Sequence, residues 1–162
     1  MKAPKRIELK KIQEVASLLI PLQGQSILLP NVTVAEIVPV SQVQVVENAP
    51  SWYIGNCQWR ELIVPVLSFE ALNGESKSNL GTRARFAVLN TTGLHADFPF
   101  MALVTQGLPR LARVSEDEIS ALEDAENRAY DLMHVSWAGE HTVIPDVPAI
   151  EKTFLEYLHN NE

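Results

Sequence analysis

Most of the chain alternates short apolar runs with polar turns. "SLLIPL" (17–22) and "SILLP" (26–30) flank Gln23-Gly24-Gln25, the spacing of a hairpin with a glycine in its loop. In "NVTVAEIVPV" (31–40), Asn31 is a suitable helix N-cap and Val34, Ile37 and Val38 share a helical face, while the β-branched content favours a strand. The segment therefore reads as a short helical turn running into a strand near Glu36 to Val40. "WYIGNCQW" and "LIVPVLSF" form two strands around Arg60-Glu61. Pro65 lacks an N–H, which places the second strand at an edge or calls for a bulge. "EALNGESKSNLGT" (70–82) reads as a helical turn ended by Gly74 and then a polar loop. "RFAVLNTTG" (85–93), "FPFMALVTQ" (98–106), "PRLARV" (109–114), "MHVSW" (133–137) and "HTVIPDV" (141–147) are further strands.

Two segments carry helical period. Ser115 followed by Glu118 is a capping-box pattern, and Ile119, Leu122 and Ala125 follow at helical spacing, which predicts a helix over 116–124. Pro148 opens a second, in which Ile150, Phe154, Leu155 and Leu158 make an apolar stripe. Some ten short strands with few helices indicate a mainly β chain built as barrels or a sandwich.

Composition narrows this further. A hydrophobic share of 46% against 20% charged residues, over 162 residues, is that of a globular chain long enough for one domain or two small lobes on one core. Net charge is −7, unevenly placed: Lys2, Lys5, Arg6, Lys10 and Lys11 against Glu8 make the first eleven residues +4, leaving about −11 for the rest. An acidic body argues against nucleic acid as the main partner. The expected division is a flexible basic arm over 1–14 and a folded unit over 15–162. No apolar run reaches the roughly 20 residues of a membrane helix, and the basic start lacks the apolar centre of a signal peptide. With a single cysteine, Cys57, these features lead us to expect a cytoplasmic protein.

Catalytic constellations are not evident. His95, His134, His141 and His159 show no metal-ligand spacing, and one cysteine cannot write a zinc signature, so no metal or other cofactor is expected. Cys57 alternates with apolar neighbours on a strand and reads as a small buried hydrophobe, although a thiol nucleophile paired with a distant histidine is the competing reading. Glycines are scattered singly and form no phosphate loop. Glu116, Asp117 and Glu118 suit a helix start better than a carboxylate pair. The expectation is a binding protein and not an enzyme. One residue stands out: Arg60, a bare cation between Trp59 and Glu61 at the mouth of an apolar strand, is either a structural charge or is presented to a partner.

Several pieces, in order, resemble the CheW-like family of chemosensory coupling proteins, from about Val15 to Leu158. They are the "V-x-E-I" element Val34-Ala35-Glu36-Ile37, the "P-x-W-x-x-G" element Pro50 to Gly55, the turn Gln58-Trp59-Arg60-Glu61 in place of "N-x-R-G", and the strand Ile63-Val64-Pro65-Val66. "GLPRLARVSEDEI" and "VIPDVPAIEKTFLEYL" look like the family's later strands and C-terminal helix. The resemblance implies two small five-stranded β-barrels sharing an apolar core. It also implies an adaptor that joins the cytoplasmic tip of a transmembrane chemoreceptor to the regulatory domain of a CheA-type histidine kinase, with other CheW-like proteins as further partners. Partner contacts carried over are Val34 and Arg60 toward the receptor and Gly55 near the kinase-facing part, with Glu36, Ile37 and Trp59 beside them.

The departures matter. The turn glycine has become Glu61, the "V-D-L" after the proline strand has become Leu67-Ser68-Phe69, and the aspartate usual in the strand matching 102–106 is absent. They suggest a divergent member, by analogy an accessory one in a pathway such as pilus-driven surface motility. They also leave open a scaffold or competitor that binds the kinase, or another CheW-like protein, and no longer the receptor.

Overall fold

A computed structural model of the chain describes residues 14–162, and the basic arm expected at the N-terminus lies outside them except for Glu14. Eleven strands form among these residues: β1 (Glu14–Leu22), β2 (Gln25–Pro30), β3 (Val34–Pro39), β4 (Tyr53–Trp59), β5 (Leu62–Leu67), β6 (Ala84–Asn90), β7 (Phe100–Gln106), β8 (Arg110–Ser115), β9 (Ile119–Ala121), β10 (Asp131–Trp137) and β11 (Glu140–Pro145). A single-turn helix, α1 (Phe69–Leu72), follows β5, and α2 (Val147–Asn160) ends the order. The strands make two sheets, one of six in the order β8-β1-β2-β11-β10-β9 and one of five in the order β3-β6-β7-β5-β4.

Both sheets close on themselves. β8 and β9 sit at opposite edges of the six-stranded sheet, yet only residues 116–118 separate them. Four Cα steps span at most about 15 Å, whereas five strand spacings laid flat need about 24 Å. The sheet must therefore curl until its edges approach. In the five-stranded sheet the edges are β3 and β4, and the chain after β3 returns to bridge them: Gln44 and Asn56 exchange both backbone hydrogen bonds, at 2.8 and 2.9 Å.

Three apolar clusters follow from this geometry. Cys57, Trp59, Val64, Val66, Phe86, Val88 and Val104 fill the five-stranded lobe, and Leu19, Leu28, Ala112 and Val135 fill the six-stranded one. Between the sheets lies the largest cluster, to which β1 and β2 supply Ile20 and Ile27, β5 to β7 supply Leu67, Leu89 and Leu103, and α2 supplies Ile150 and Phe154. Strands that bury side chains on both faces read as nearly continuous apolar runs, which explains "RFAVLN" and "FMALVT". In α2, Asp146 caps by accepting from the Ala149 N–H, and Pro148 sits in the first turn, as the sequence predicts.

Four expectations are corrected. The six-stranded sheet replaces one of the two expected five-stranded barrels, and its extra strand comes from the segment read as a helix over 116–124. There the capping-box residues close a turn instead: Glu118 N–H donates to the Ser115 carbonyl at 3.1 Å and the Ser115 hydroxyl to Glu118 Oε1 at 3.2 Å. Ile119–Ala121 then pairs with the open edge of β10, where three backbone partners outweigh a helix with little apolar surface to bury. Asn31 caps nothing; Asn31–Thr33 is a 3-10 turn preceded by Pro30, and the strand starts at Val34. Finally, β5 is interior and its register is regular at Pro65, opposite Asn56. The parallel pairing with β7 begins only at Val66, so the missing N–H precedes it.

Candidate functional site

Arg60 and Glu61 are the two loop residues of the β4–β5 hairpin, since Trp59 opposes Leu62. Both have positive φ, 49° and 64°, the backbone of a tight mirror-image turn. Two non-glycine residues in that conformation cost roughly 1 kcal/mol each. Replacing Glu61 by glycine removes one such cost and is expected to stabilise the protein by about 0.5–1 kcal/mol after allowing for the freer unfolded chain. A urea midpoint that falls or stays put would show that Glu61 makes a compensating contact.

The turn delivers Arg60 to a partner on the facing edge strand. Arg60 Nη2 lies 3.3 Å from Glu36 Oε1, and its guanidinium stacks over the Trp59 ring at 4.6 Å. Trp59 Nε1 donates to the same Glu36 oxygen at 2.9 Å. Trp59 itself is buried and packs edge-on against Phe100 at 4.8 Å. Glu36 thus bridges β3 and the end of β4, and Arg60 lies on the outside of that bridge with 68% of its side chain exposed. Ser68, which stands where the family pattern has an aspartate, is buried and caps α1 by accepting from the Ala71 N–H.

Val34 and Ile37 reach the other face through a register shift. Val34 opposes Leu89 and Glu36 opposes Val88, which leaves Ala35 as an extra residue in β3. The bulge puts Val34 and Ile37 against the cluster between the sheets, half-buried, while Val38 turns into the five-stranded lobe. Gly55 is not part of this group. It lies four residues from Trp59 along β4, about 13 Å, and its neighbours are Val43 and Gln44.

A second polar group, which the sequence did not signal, joins the two lobes. Arg128 Nε donates to Asp131 Oδ2 at 2.9 Å, its Nη1 to Glu75 Oε2 at 2.9 Å and its Nη2 to Gln25 Oε1 at 2.7 Å. Asp131, with a fully buried side chain, also accepts from Asn73 and from His134 Nε2. Burial alone would raise the Asp131 pKa, but the side-chain bond from Arg128, the Arg128 backbone N–H and His134 outweigh it and hold the carboxyl below its usual range. Sequence separations of 53 and 103 residues between Arg128 and its partners Glu75 and Gln25 hide this clamp from any local pattern.

Cys57 is buried in β4. Burial pushes its thiol pKa up despite a hydrogen bond with Ser41, the opposite of what a thiolate nucleophile needs. Among the described residues no helix is long and apolar enough to cross a membrane.

Comparison with known proteins agrees with this geometry. No curated protein sequence matches the chain. A solved structure, the scaffolding protein TtCheW from Thermoanaerobacter tengcongensis, superposes with a TM-score of 0.69 at 15% identity, covering 82% of this chain and 89% of that one. At that identity the likeness speaks for the fold. A family model, that of the CheW-like domain, matches residues 16–153, nearly all of both sheets and the first half of α2. The chain therefore belongs to the CheW-like family, and its place is that of a scaffold in chemosensory signalling and not of an enzyme.

Proposed function

We propose that the chain couples the cytoplasmic tip of a transmembrane chemoreceptor to the regulatory domain of a CheA-type histidine kinase, working in the cytoplasm in a flagellar or pilus-type motility pathway. Arg60 and Glu36 carry the receptor-facing surface in this reading, with the half-buried Val34 and Ile37 on the other face of β3 beside it. The observation that carries it is the state of Arg60. The guanidinium is held in one orientation by Glu36 and the Trp59 ring, yet 68% of the side chain faces water. A cation ordered in advance loses little rotamer freedom when a partner arrives, and its planar fork suits a carboxylate on a receptor helix. As a stabilising contact the same pair is weak, since exposed ion pairs contribute about 0–1 kcal/mol.

Arg60→Ala separates the two roles. Titrated against a receptor cytoplasmic hairpin, the variant is expected to bind about tenfold more weakly, about 1.4 kcal/mol, with kinase-domain binding unchanged and a loss of stability under about 1 kcal/mol. A variant that melts early but binds the receptor at full affinity would make Arg60 a fold residue. Wild-type protein that binds the kinase domain and not the receptor would instead identify a scaffold or competitor, the outcome that the loss of the turn glycine permits.

A further inference from the structure

The β10–β11 hairpin brings together two histidines whose spacing in sequence resembles no metal motif. Ser136 opposes His141 and His134 opposes Val143, so the two imidazoles are diagonal neighbours on one face. His134 Nδ1 and His141 Nε2 are 2.8 Å apart. Behind them, His134 Nε2 is 2.8 Å from Asp131 Oδ2, and that carboxylate can only accept, so Nε2 carries the proton and Nδ1 presents its lone pair outward. A carboxylate behind an imidazole whose other nitrogen is unprotonated is the arrangement found behind metal-ligating histidines, where it fixes tautomer and ring orientation. His141 is exposed and opens, with Glu126 and Thr142, on a cleft of about 410 Å³.

We propose that His134 Nδ1 and His141 Nε2 bind a divalent transition cation of the copper, nickel or zinc class. With metal–nitrogen bonds of about 2.0 Å, two nitrogens at a right angle stand about 2.8 Å apart and two at a tetrahedral angle about 3.3 Å. Two imidazoles this close, one of them on an exposed side chain that can turn, can reach neighbouring positions of a square, the geometry favoured by Cu(II) and Ni(II). In the metal-free neutral pair the His141 Nε2–H donates to His134 Nδ1. Ligation requires His141 to release that proton to water and take one at Nδ1, so its tautomer changes and the proton count does not. Its exposed ring must also swing, because the two lone-pair directions lie along the hydrogen bond; His134 stays fixed by Asp131. Among the described residues no third His, Cys, Asp or Glu completes the set, so the other positions would go to water or to a donor supplied by a partner. Because Asp131 also receives Arg128 and Asn73, a cation on His134 would brace the clamp between the lobes.

The test is a calorimetric titration of the full chain with Cu(II), with electron paramagnetic resonance to count bound nitrogens and thermal melts in Cu(II) or Ni(II). Removing an outer partner of a ligating histidine already costs about 10–100-fold in affinity, so His141→Ala, which removes a ligand at an exposed position, should lose at least about tenfold. His95→Ala and His159→Ala should bind as wild type does. The expected record is one site with two imidazole nitrogens and a melting temperature raised by the cation, both lost in His141→Ala and in His141→Gln. Equal affinity in wild type and His141→Ala, or a cation with no imidazole couplings, would overturn the proposal.

Discussion

Phe154→Ala should cost about 3–5 kcal/mol of folding stability, more than any surface change in this protein. Phe154 is 2% exposed and touches rings on two other segments: Tyr53 at 5.3 Å from β4 and Phe98 at 5.2 Å from the loop before β7. Both contacts are edge-on, a geometry that adds to the burial term. Because Ile20 and Ile27 of the six-stranded sheet belong to the same cluster, the ring anchors α2 where both sheets meet. The void left by the ring is lined by three elements that cannot all move inward together, which places the loss toward the upper part of the range. A urea melt of wild type and variant gives the number directly, and at this chain length a loss of that size lowers Tm by roughly 10 °C. A loss below about 1 kcal/mol would mean that α2 is only loosely docked and that the central cluster ends at the sheets.

How far the sequence reaches can be judged from particular elements. Strands β1, β2, β4 to β8, β10 and β11 were visible because each is an apolar run between turn residues, and α2 because Ile150 and Phe154 are spaced for one buried face. The segment at 116–124 was misread because a capping box records only a local preference. The same two residues close a turn through different hydrogen bonds when a strand edge, β10, offers better partners. Pro65 misled for a related reason: whether a missing N–H matters depends on where pairing with β7 begins, and that is decided 37 residues later at Ala102.

At the site, the neighbourhood of Arg60 was legible and its partner was not. Trp59 adjoins Arg60 in sequence, but Glu36 reaches it only because β3 and β4 are the two edges that the closing sheet brings together. The Ala35 bulge explains why Val34 and Ile37, three apart, share a face in a strand that would otherwise put them on opposite ones. The clamp of Arg128, Asp131, Asn73 and Glu75 left no signal, since its members come from segments that read separately as loop. Polar joints of this kind depend on the assembled fold and have no period of their own.

Gly55→Ala is the second substitution with a large expected effect, and it bears on the closure that creates the site. Gly55 has φ of 150°, a conformation that side-chain-bearing residues rarely adopt. A Cβ there would stand 2.5 Å from the Gln44 carbonyl oxygen and 2.5 Å from Val43 Cγ1. The oxygen is the harder obstacle. It belongs to backbone that accepts the Asn56 N–H at 2.9 Å, so it cannot retreat without breaking the bridge between the two edges of the five-stranded sheet. Forced backbone shifts of this sort cost about 1–3 kcal/mol, to which the unfavourable φ adds about 1 kcal/mol. We expect a total of about 2–4 kcal/mol in a denaturant melt, with early loss of amide protection at Gln44 and Asn56 in hydrogen exchange. The same variant tests what the glycine does for partners. If kinase-domain binding declines only in step with the unfolded fraction, Gly55 serves recognition by holding the 43–44 segment against β4. A variant that stays folded and exchanges slowly at Gln44, yet fails to bind the kinase domain, would show instead that the partner needs the bare backbone at this position.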